Sequence, residues 1–504
     1  MKDKLPNIVL IFSDNQQAST LGCYGNREIH TPNLDRLAAQ GIAFDNAFCP
    51  NAFCSHSRAS LLTGLLPSQH GVHSWIDDRE SDLWPENWHA LNGLRTLPET
   101  LKSAGYTTAL CGKYHLGDPS TPMAGFDEWC TMADGHVRSF YHNRITENGH
   151  AYDHHGHTVD FFTQKGAAFI EKEAAADHPF FLYLPYPAPY GHWPATKEDV
   201  SCRHTARYAE CPMDSVPREG LSKAAVDAYL MRQTYSGGGL DYSMTLRAPN
   251  DLPTLRNYYA QISMVDDGVG AIMDTLDRLS LTEDTIVIFT SDHGLSLGHH
   301  GFWGHGAATW PSNLHHAAHS VPLLMRYPYQ VVPDQRSDAM VSNLDIYATL
   351  LDFIRQPDEQ PGMALPSRSF KCLATGGGTN RGEDVVYAEQ EETRVLRTAK
   401  WAYFKRFRRE GSPDLQDELF DVEADPVETR NLAQEPEFSD VLQTLDLMLT
   451  NFFETHSRAE ADLWRGGRPL QNTERGELWR QVWGEDWQPG YRYPKSKDEV
   501  SSPQ

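Results

Sequence analysis

A cysteine four residues ahead of an arginine, Cys54-Ser55-His56-Ser57-Arg58, carries the clearest chemistry in this chain. With Ala59-Ser60-Leu61-Leu62-Thr63-Gly64 behind it, the segment reads as the start of a helix. A helix N-terminus is electropositive and the arginine adds a fixed cation, a setting for an activated nucleophile that faces an anion. A pair of carboxylates is the second feature. Asn7-Ile8-Val9-Leu10-Ile11-Phe12-Ser13-Asp14-Asn15 and Thr285-Ile286-Val287-Ile288-Phe289-Thr290-Ser291-Asp292-His293 are near repeats, each an apolar β-branched run closed by Ser-Asp. Carboxylates at adjacent strand ends repel unless a cation lies between them. Oxygen-rich ligation suits Ca2+, Mg2+ or Mn2+ better than zinc, and Asn15 and His293 would complete a set of two anionic and two neutral ligands. The plainer reading of an Asp after a strand is a helix N-cap; two such sites with matched flanks weigh against it.

The apolar runs read as strands buried on both faces of a mostly parallel sheet, which sends Asp14 and Asp292 to the carboxyl ends where open α/β sheets place ligands. Phe180–Leu184 predicts another such strand, and amphipathic helices are predicted at about 33–40, 97–104, 160–175, 255–279 and 343–354. The alternation predicts an α/β fold over residues 1–365, a large mixed, mostly parallel sheet sandwiched by helices. A Pro/Gly-rich stretch near 356–366 and Gly376-Gly377-Gly378 mark a boundary. Short strand patterns at 384–389, 394–397 and 400–406 and a helix at 437–455 predict a smaller C-terminal α+β subdomain on an antiparallel sheet, 366–460. Residues 461–504 form a Trp-rich extension that wraps over the surface or a neighbouring subunit.

The net charge of −24 argues against nucleic-acid and anionic-membrane partners, although a metal with a few cations can still draw an anionic substrate. Apolar runs are strand-sized. The start, Met1-Lys2-Asp3-Lys4-Leu5-Pro6, lacks the pattern of a signal peptide, and the eight cysteines show no framework spacing. The expectation is a cytoplasmic protein with reduced thiols, periplasmic or secreted if a leader precedes it.

Taken together, the motifs resemble the type I, formylglycine-dependent sulfatases of the alkaline phosphatase superfamily. The segment from Cys54 to Gly64 is similar to their signature, Cys-x-Pro-x-Arg followed by x-x-x-Leu-Thr-Gly, with His56 in place of proline. Asp14-Asn15 and Asp292-His293 resemble the two metal elements, Asn15 standing where a second Asp is usual. Gly112-Lys113-Tyr114-His115-Leu116-Gly117 resembles the family's Gly-Lys-Trp-His-Leu-Gly block, and Tyr190-Gly191-His192-Trp193-Pro194 its Pro-His-x-Pro loop. His305 stands where a lysine commonly grips the sulfate. Glu418-Leu419-Phe420-Asp421 through Asp425-Pro426-Val427-Glu428-Thr429-Arg430-Asn431-Leu432 looks like a C-terminal hairpin of the family. The likeness runs in order from residue 7 to about 435.

The resemblance implies an alkaline phosphatase-like fold and hydrolysis of a sulfate ester. A maturation enzyme would oxidise Cys54 to formylglycine, whose hydrate attacks sulfur from a divalent metal, Ca2+ before Mg2+ or Mn2+, held by Asp14, Asn15, Asp292, His293 and the modified Cys54. Arg58 would hold the hydrate, and Lys113 and His305 would bind the sulfate oxygens. His192 would contact the bridging oxygen and protonate the leaving group, and His115 would act as base for release of sulfate. A sulfated sugar is the expected substrate, with Trp75, Trp84, Trp88, Trp193, Trp303 and Trp310 available to stack on its faces. Other readings are a phosphodiester or phosphonate monoester hydrolase on the same scaffold, an unmatured sulfoglycan-binding protein, and a zinc cluster among His299, His300, His305, His315, His316 and His319. The acidic surface and the Trp-rich tail permit a homo-oligomer.

Overall fold

Side chains alternate across a strand, and Asn7–Asp14 (β1) uses both of its faces. Ile8, Leu10 and Phe12 enter one apolar core and Val9 and Ile11 another, all fully buried. The computed structural model describes residues 4–76, 87–133, 137, 139–191, 200–235, 246, 248–357, 360–378, 382, 384–408, 415–469 and 476–488. Further strands of the large sheet are Ile42–Phe48 (β2), Thr107–Gly112 (β3), Glu128–Met132 (β4), His142–Glu147 (β5), His150–His155 (β6), Phe180–Pro189 (β7), Thr285–Ser291 (β8), Leu323–Arg326 (β11) and Gln335–Ser342 (β12), with a two-stranded ribbon of Ser296–Leu297 (β9) and Trp303–Gly304 (β10) between. The order is β12-β2-β11-β8-β1-β7-β3-β4-β5-β6. Strands β8, β1, β7, β3 and β4 are parallel, whereas β11, β5 and β6 run against their neighbours. This is the mixed, mostly parallel sheet that the apolar runs predict.

Helices cover both faces. On one side Cys54–Thr63 (α2), Leu97–Ser103 (α3) and Ile346–Phe353 (α6) contribute Leu61, Leu62, Leu97, Leu101, Ile346 and Leu350 to the core of Ile8 and Leu10. On the other, Pro32–Ala39 (α1), Thr158–Glu173 (α4) and Leu252–Arg278 (α5) contribute Leu34, Phe162, Ile170, Ile262 and Ile272 to the core of Val9 and Ile11. Each such side chain is worth about 1.5–3 kcal/mol by leaving water. Among the described residues no helix is long and apolar enough to cross a membrane.

Two glycines set the fold close to the sheet's carboxyl end. Gly64 closes α2 with φ 71°, and a Cβ there would stand 2.7 Å from the Tyr347 ring. Gly112 ends β3 at φ 146°, and a Cβ would fall 2.0 Å from the Pro185 carbonyl oxygen. Only glycine lets the chain pass there, and Lys113 N–H then donates to that same carbonyl at 2.7 Å.

The small sheet is antiparallel, Val385–Gln390 (β13), Thr393–Thr398 (β14), Trp401–Arg406 (β15) and Glu418–Asp421 (β16), in that order. One face packs Val385, Leu396, Tyr403 and Leu419 against Leu445, Leu449 and Phe453 of Ser439–Thr455 (α7). The other sends Ala388, Val395, Phe404 and Phe420 into the core of the large sheet. In the tail, Trp479 of Gly476–Trp483 (α8) and Trp487 bury against Phe407 and Leu463. The described part of the Trp-rich extension therefore wraps onto its own chain.

The histidine-rich stretch is tied to the small sheet. Arg397 pairs with Glu428, donates to His319 Nδ1 at 2.8 Å and to the Leu314 carbonyl at 2.9 Å, while His315 Nε2 meets Glu418 at 3.2 Å. His315 and His319 are thus held by the small sheet, and among the described residues these histidines form no group whose ligand atoms come close enough to hold a zinc ion. Burial raises the Glu428 carboxyl, but Arg397 and the neighbouring histidines outweigh it and hold it at about 2, below its ordinary 4.5. Its stabilising contribution is complete above about pH 4.5 and is lost as the pH falls through about 2. Glu428→Gln is expected to lose about 3 kcal/mol at neutral pH and to show a flatter acid limb, measured by urea unfolding between pH 7 and 3.

Candidate active site

The register Ser13↔Ser291 between β1 and β8 sets Asp14 and Asp292 side by side at the carboxyl ends of adjacent strands. Both are fully buried. The backbone N–H of Asn15 and of His293 donate to Asp292 Oδ1 at 2.9 and 2.8 Å. Asn15 turns the chain at φ 63°, a left-handed conformation that asparagine tolerates.

Helix α2 points its first turn at these carboxylates. Its N-cap, Phe53, makes no side-chain cap, and all ten of its residues are buried. Arg58 donates through Nη2 to Asp14 Oδ2 and Asp292 Oδ2, both at 3.1 Å, and through Nη1 to the Lys113 carbonyl at 3.0 Å. Lys113, placed by the Gly112 turn, reaches Asp14 Oδ2 at 2.6 Å and lies 5.1 Å from the Tyr190 ring centroid. Two buried cations thus face two buried carboxylates. Each charge would be untenable alone in a dry site.

The other side of the carboxylates faces Cys54. Its Sγ lies 3.7 Å from Asp14 Oδ1, 3.9 Å from Asn15 Oδ1 and 3.4 Å from His293 Nε2. His293 donates Nδ1–H to the Gly294 carbonyl at 2.8 Å, which leaves the lone pair on Nε2. One thiol hydrogen cannot satisfy three acceptors. Asp14, Cys54, Asp292 and His293 offer ligand atoms within 4.8 Å of one another, the sole such group among the described residues. The donor set, two carboxylates with an imidazole and a sulfur, could hold a divalent cation.

The titration of these groups says the same. Burial, reinforced by Asp292, holds Asp14 above its ordinary range against the pull of Lys113 and Arg58. Burial also opposes ionisation of Asp292, but His293, Arg58 and Lys113 prevail and hold it at about 2. Like charges this close split in that way unless a cation joins them. Burial pushes the Cys54 thiol well above its ordinary value; Lys113 pulls it down, but Asp14 and Asp292 add to the rise. The helix start and arginine predict an activated nucleophile. With no cation in the site, burial and the two carboxylates outweigh the helix terminus and favour the protonated form of the unmodified thiol.

The remaining residues named from sequence lie around this centre. His115, at φ 58°, bonds through Nε2 to the Ile76 carbonyl at 3.1 Å, and its own carbonyl accepts from Ser55 Oγ at 3.0 Å. The ring of His305 lies 5.0 Å from that of His293 and 4.8 Å from that of Phe53. Tyr190 N–H donates to the Asp14 carbonyl at 3.0 Å, which brings the chain to the site; His192, like Trp84 and Trp193, lies outside the described residues. Trp303 is core, its Nε1 bonded to the Gly191 carbonyl at 2.5 Å and its ring against Tyr258, so it is closed to a sugar face. Two supports carry no role in the sequence reading. Ser57 Oγ donates to the Asp292 carbonyl at 2.5 Å, and Asn343 Nδ2 donates to the Ser291 carbonyl at 2.9 Å. Ser57 sits inside the signature pentapeptide, a signal that could have flagged it; Asn343 sits in a stretch that reads as helix, and only folding brings it here.

The sulfatase family model matches residues 6–355. The chain belongs to the sulfatase family. It is accordingly a sulfuric ester hydrolase, and its fold is that of the alkaline phosphatase superfamily. A second model, the C-terminal part of N-sulphoglucosamine sulphohydrolase, matches residues 311–455 of this sulfatase. The N-acetylglucosamine-6-O-sulfatase of Bacteroides thetaiotaomicron is 25% identical over 93% of this chain and 90% of its own. Human iduronate 2-sulfatase is 31% identical over 64% of this chain and 60% of its own. A protein solved with its substrate D-glucosamine-2-N,6-O-disulfate superposes with a TM-score of 0.70, at 24% identity over 90% of this chain and 98% of that one. The phosphonate monoester hydrolase of Agrobacterium radiobacter has the same fold, with a TM-score of 0.65 at 18% identity over 90% and 97% of the two chains.

Replacing Arg58 by Met leaves two buried carboxylates short of a partner. The loss expected is about 3–5 kcal/mol, read as a lowered urea midpoint in a chelator, with excess divalent cation restoring part of it.

Proposed function

We propose that this sulfatase removes sulfate from a sulfated sugar, with formylglycine made from Cys54 as nucleophile and one divalent cation, calcium, in the site. The observation that carries this reading is the meeting of Asp14 Oδ1, Asn15 Oδ1 and His293 Nε2 at the Cys54 sulfur. Names of relatives support the substrate class: they include a sulfatase of N-acetylglucosamine and one of iduronate. Calcium suits a mostly oxygen donor set.

Asp14, Asn15, Asp292 and His293 would hold the cation, which supplies charge to draw and polarise the sulfate oxygens. The hydrate of formylglycine would supply two hydroxyls on one carbon, one to attack sulfur with expulsion of the alcohol and a second whose deprotonation releases the sulfate by carbon–oxygen cleavage and restores the aldehyde. Arg58 and Lys113 have their charges fixed by the carboxylates before substrate arrives, so no reorganisation is needed as charge develops. His115 bonds a carbonyl through Nε2, which makes Nδ1 its basic nitrogen for the second hydroxyl's proton. His192 is assigned protonation of the leaving alcohol, and His305 the contact with sulfate oxygens that a lysine commonly makes in the family. Because Cys54 and the whole of α2 are buried, the maturation enzyme must reach the cysteine before the chain folds. His56 falls in the first turn of α2, where proline is also compatible, so the departure from the family signature does not disturb the helix.

After co-expression with a formylglycine-generating enzyme, mass spectrometry of the peptide spanning Cys54 should show the loss expected for a thiol becoming an aldehyde. The same enzyme should cleave an aryl sulfate faster than a phosphodiester or a phosphonate monoester; an intact thiol, or faster phosphodiester cleavage, would sink the proposal. Calcium should raise the melting temperature of the wild type by about 2 °C or more at 100 times its Kd, and Asp292→Asn should abolish that rise.

A further inference from the structure

The outer edge of the large sheet carries a pair of histidines that the active centre does not use. Strands β5 and β6 form a hairpin there, and β6 is the last strand of the sheet. His142 opens β5 and His155 closes β6, directly opposite each other in the ladder. Opposed residues project from the same face of a sheet, and both of these side chains are exposed. Their Nδ1 atoms stand 3.1 Å apart, and the rings meet edge-on with centroids 5.3 Å apart.

The backbone beneath the pair is anchored. His142 N–H donates to Ser139 Oγ at 3.2 Å, Gly156 N–H to the Tyr141 carbonyl at 3.0 Å and Thr158 N–H to the Phe140 carbonyl at 2.8 Å. Neighbouring histidines are engaged elsewhere. His154 packs its ring on Phe161 at 4.2 Å, and His157 spends Nδ1 on Val159 N–H at 3.3 Å and Nε2 on Gln261 Oε1 at 2.9 Å. The next pair along the same face, Arg144 and Asp153, cancels in formal charge.

A hydrogen bond from one Nδ1–H to the other ring's lone pair has this length. Between exposed rings in water such a bond contributes little. The separation is also the bite of a two-imidazole chelate. With metal–nitrogen arms of about 2.05 Å, the 3.1 Å spacing closes a nitrogen–metal–nitrogen angle of about 98°. That lies between the roughly 90° of square-planar and the roughly 109° of tetrahedral coordination. The metal would take both Nδ1 lone pairs, with the proton of each neutral ring on Nε2. Imidazole suits zinc, copper and nickel, whereas calcium and magnesium prefer oxygen. The pair therefore differs in metal class from the oxygen-rich centre of Asp14 and Asp292.

We infer that His142 and His155 form a two-histidine chelate for a divalent transition metal, Zn2+, Ni2+ or Cu2+. The metal clasps the open end of the edge hairpin and keeps its other coordination positions for water or an outside donor.

Nickel is the probe, because it does not oxidise thiols as Cu2+ does, and calcium is held in excess to occupy the active centre. Isothermal titration of the full chain with nickel chloride should show a site that His142→Ala and His155→Ala each weaken at least tenfold. Hydrolysis of an aryl sulfate by the formylglycine-bearing protein should be the same in both variants, which shows them folded. In hydrogen exchange, nickel should slow the amides of residues 142–155 at least fivefold in the wild type and leave them unchanged in either variant. A nickel isotherm identical in the wild type and both variants, one sensitive to a single histidine only, or no binding by the wild type at millimolar nickel overturns the chelate. Exchange unaltered by nickel in the wild type overturns the clasp.

Discussion

Two carboxylates, Asp14 and Asp292, end neighbouring strands with no exposure to solvent, and the rest of the active centre follows from the need to balance them. Isolated, each would give up its charge to burial. Arg58 from α2 and Lys113 from the end of β3 bond one oxygen edge, which makes the four charges formally neutral. The opposite edge is left with acceptor atoms that converge on Cys54. That asymmetry, a compensated face and an unsatisfied one, makes the pair a cation site next to a nucleophile rather than a buried ion-pair network.

The same balance acts on the unmodified thiol of Cys54. A helix start and an arginine lower a cysteine pKa when the site is otherwise neutral. Here burial and two carboxylates act in the other direction and win. Under the proposed conversion of Cys54, a carbon bearing two hydroxyls would not depend on thiolate formation. The histidine at position 56 fits this picture, since the helix has no structural need for proline there and the imidazole gains a place in an adjoining pocket.

The small sheet contributes more than mass. One of its faces is continuous with the core of the large sheet, and its β13–β14 hairpin reaches the loop ahead of α2. Loss of the Arg397–Glu428 pair would therefore loosen the histidine-rich stretch as well as the C-terminal part. Stability and site shape are coupled through this contact.

Much of the centre was legible in the chain. The two apolar runs ending in Ser-Asp determined parallel central strands, because only a strand buried on both faces is apolar at every position, and they carried both carboxylates to the same end. Cys54 and Arg58 follow from helical spacing alone. The helices over α1, α3, α4, α5 and α7 were legible too, since each keeps one apolar stripe. What only the tertiary structure decided lies in contacts with no local pattern. Ser57 and Asn343 support Asp292 through its backbone, Trp303 is core rather than a sugar platform, and Gln390 and Glu391 meet His56 and His73 across more than 300 residues of sequence. The physical reason is the range of the forces involved. Periodicity records which face of an element leaves water, whereas the sign of a pKa shift, the filling of a pocket and the partner of a buried polar atom depend on every element packed around it.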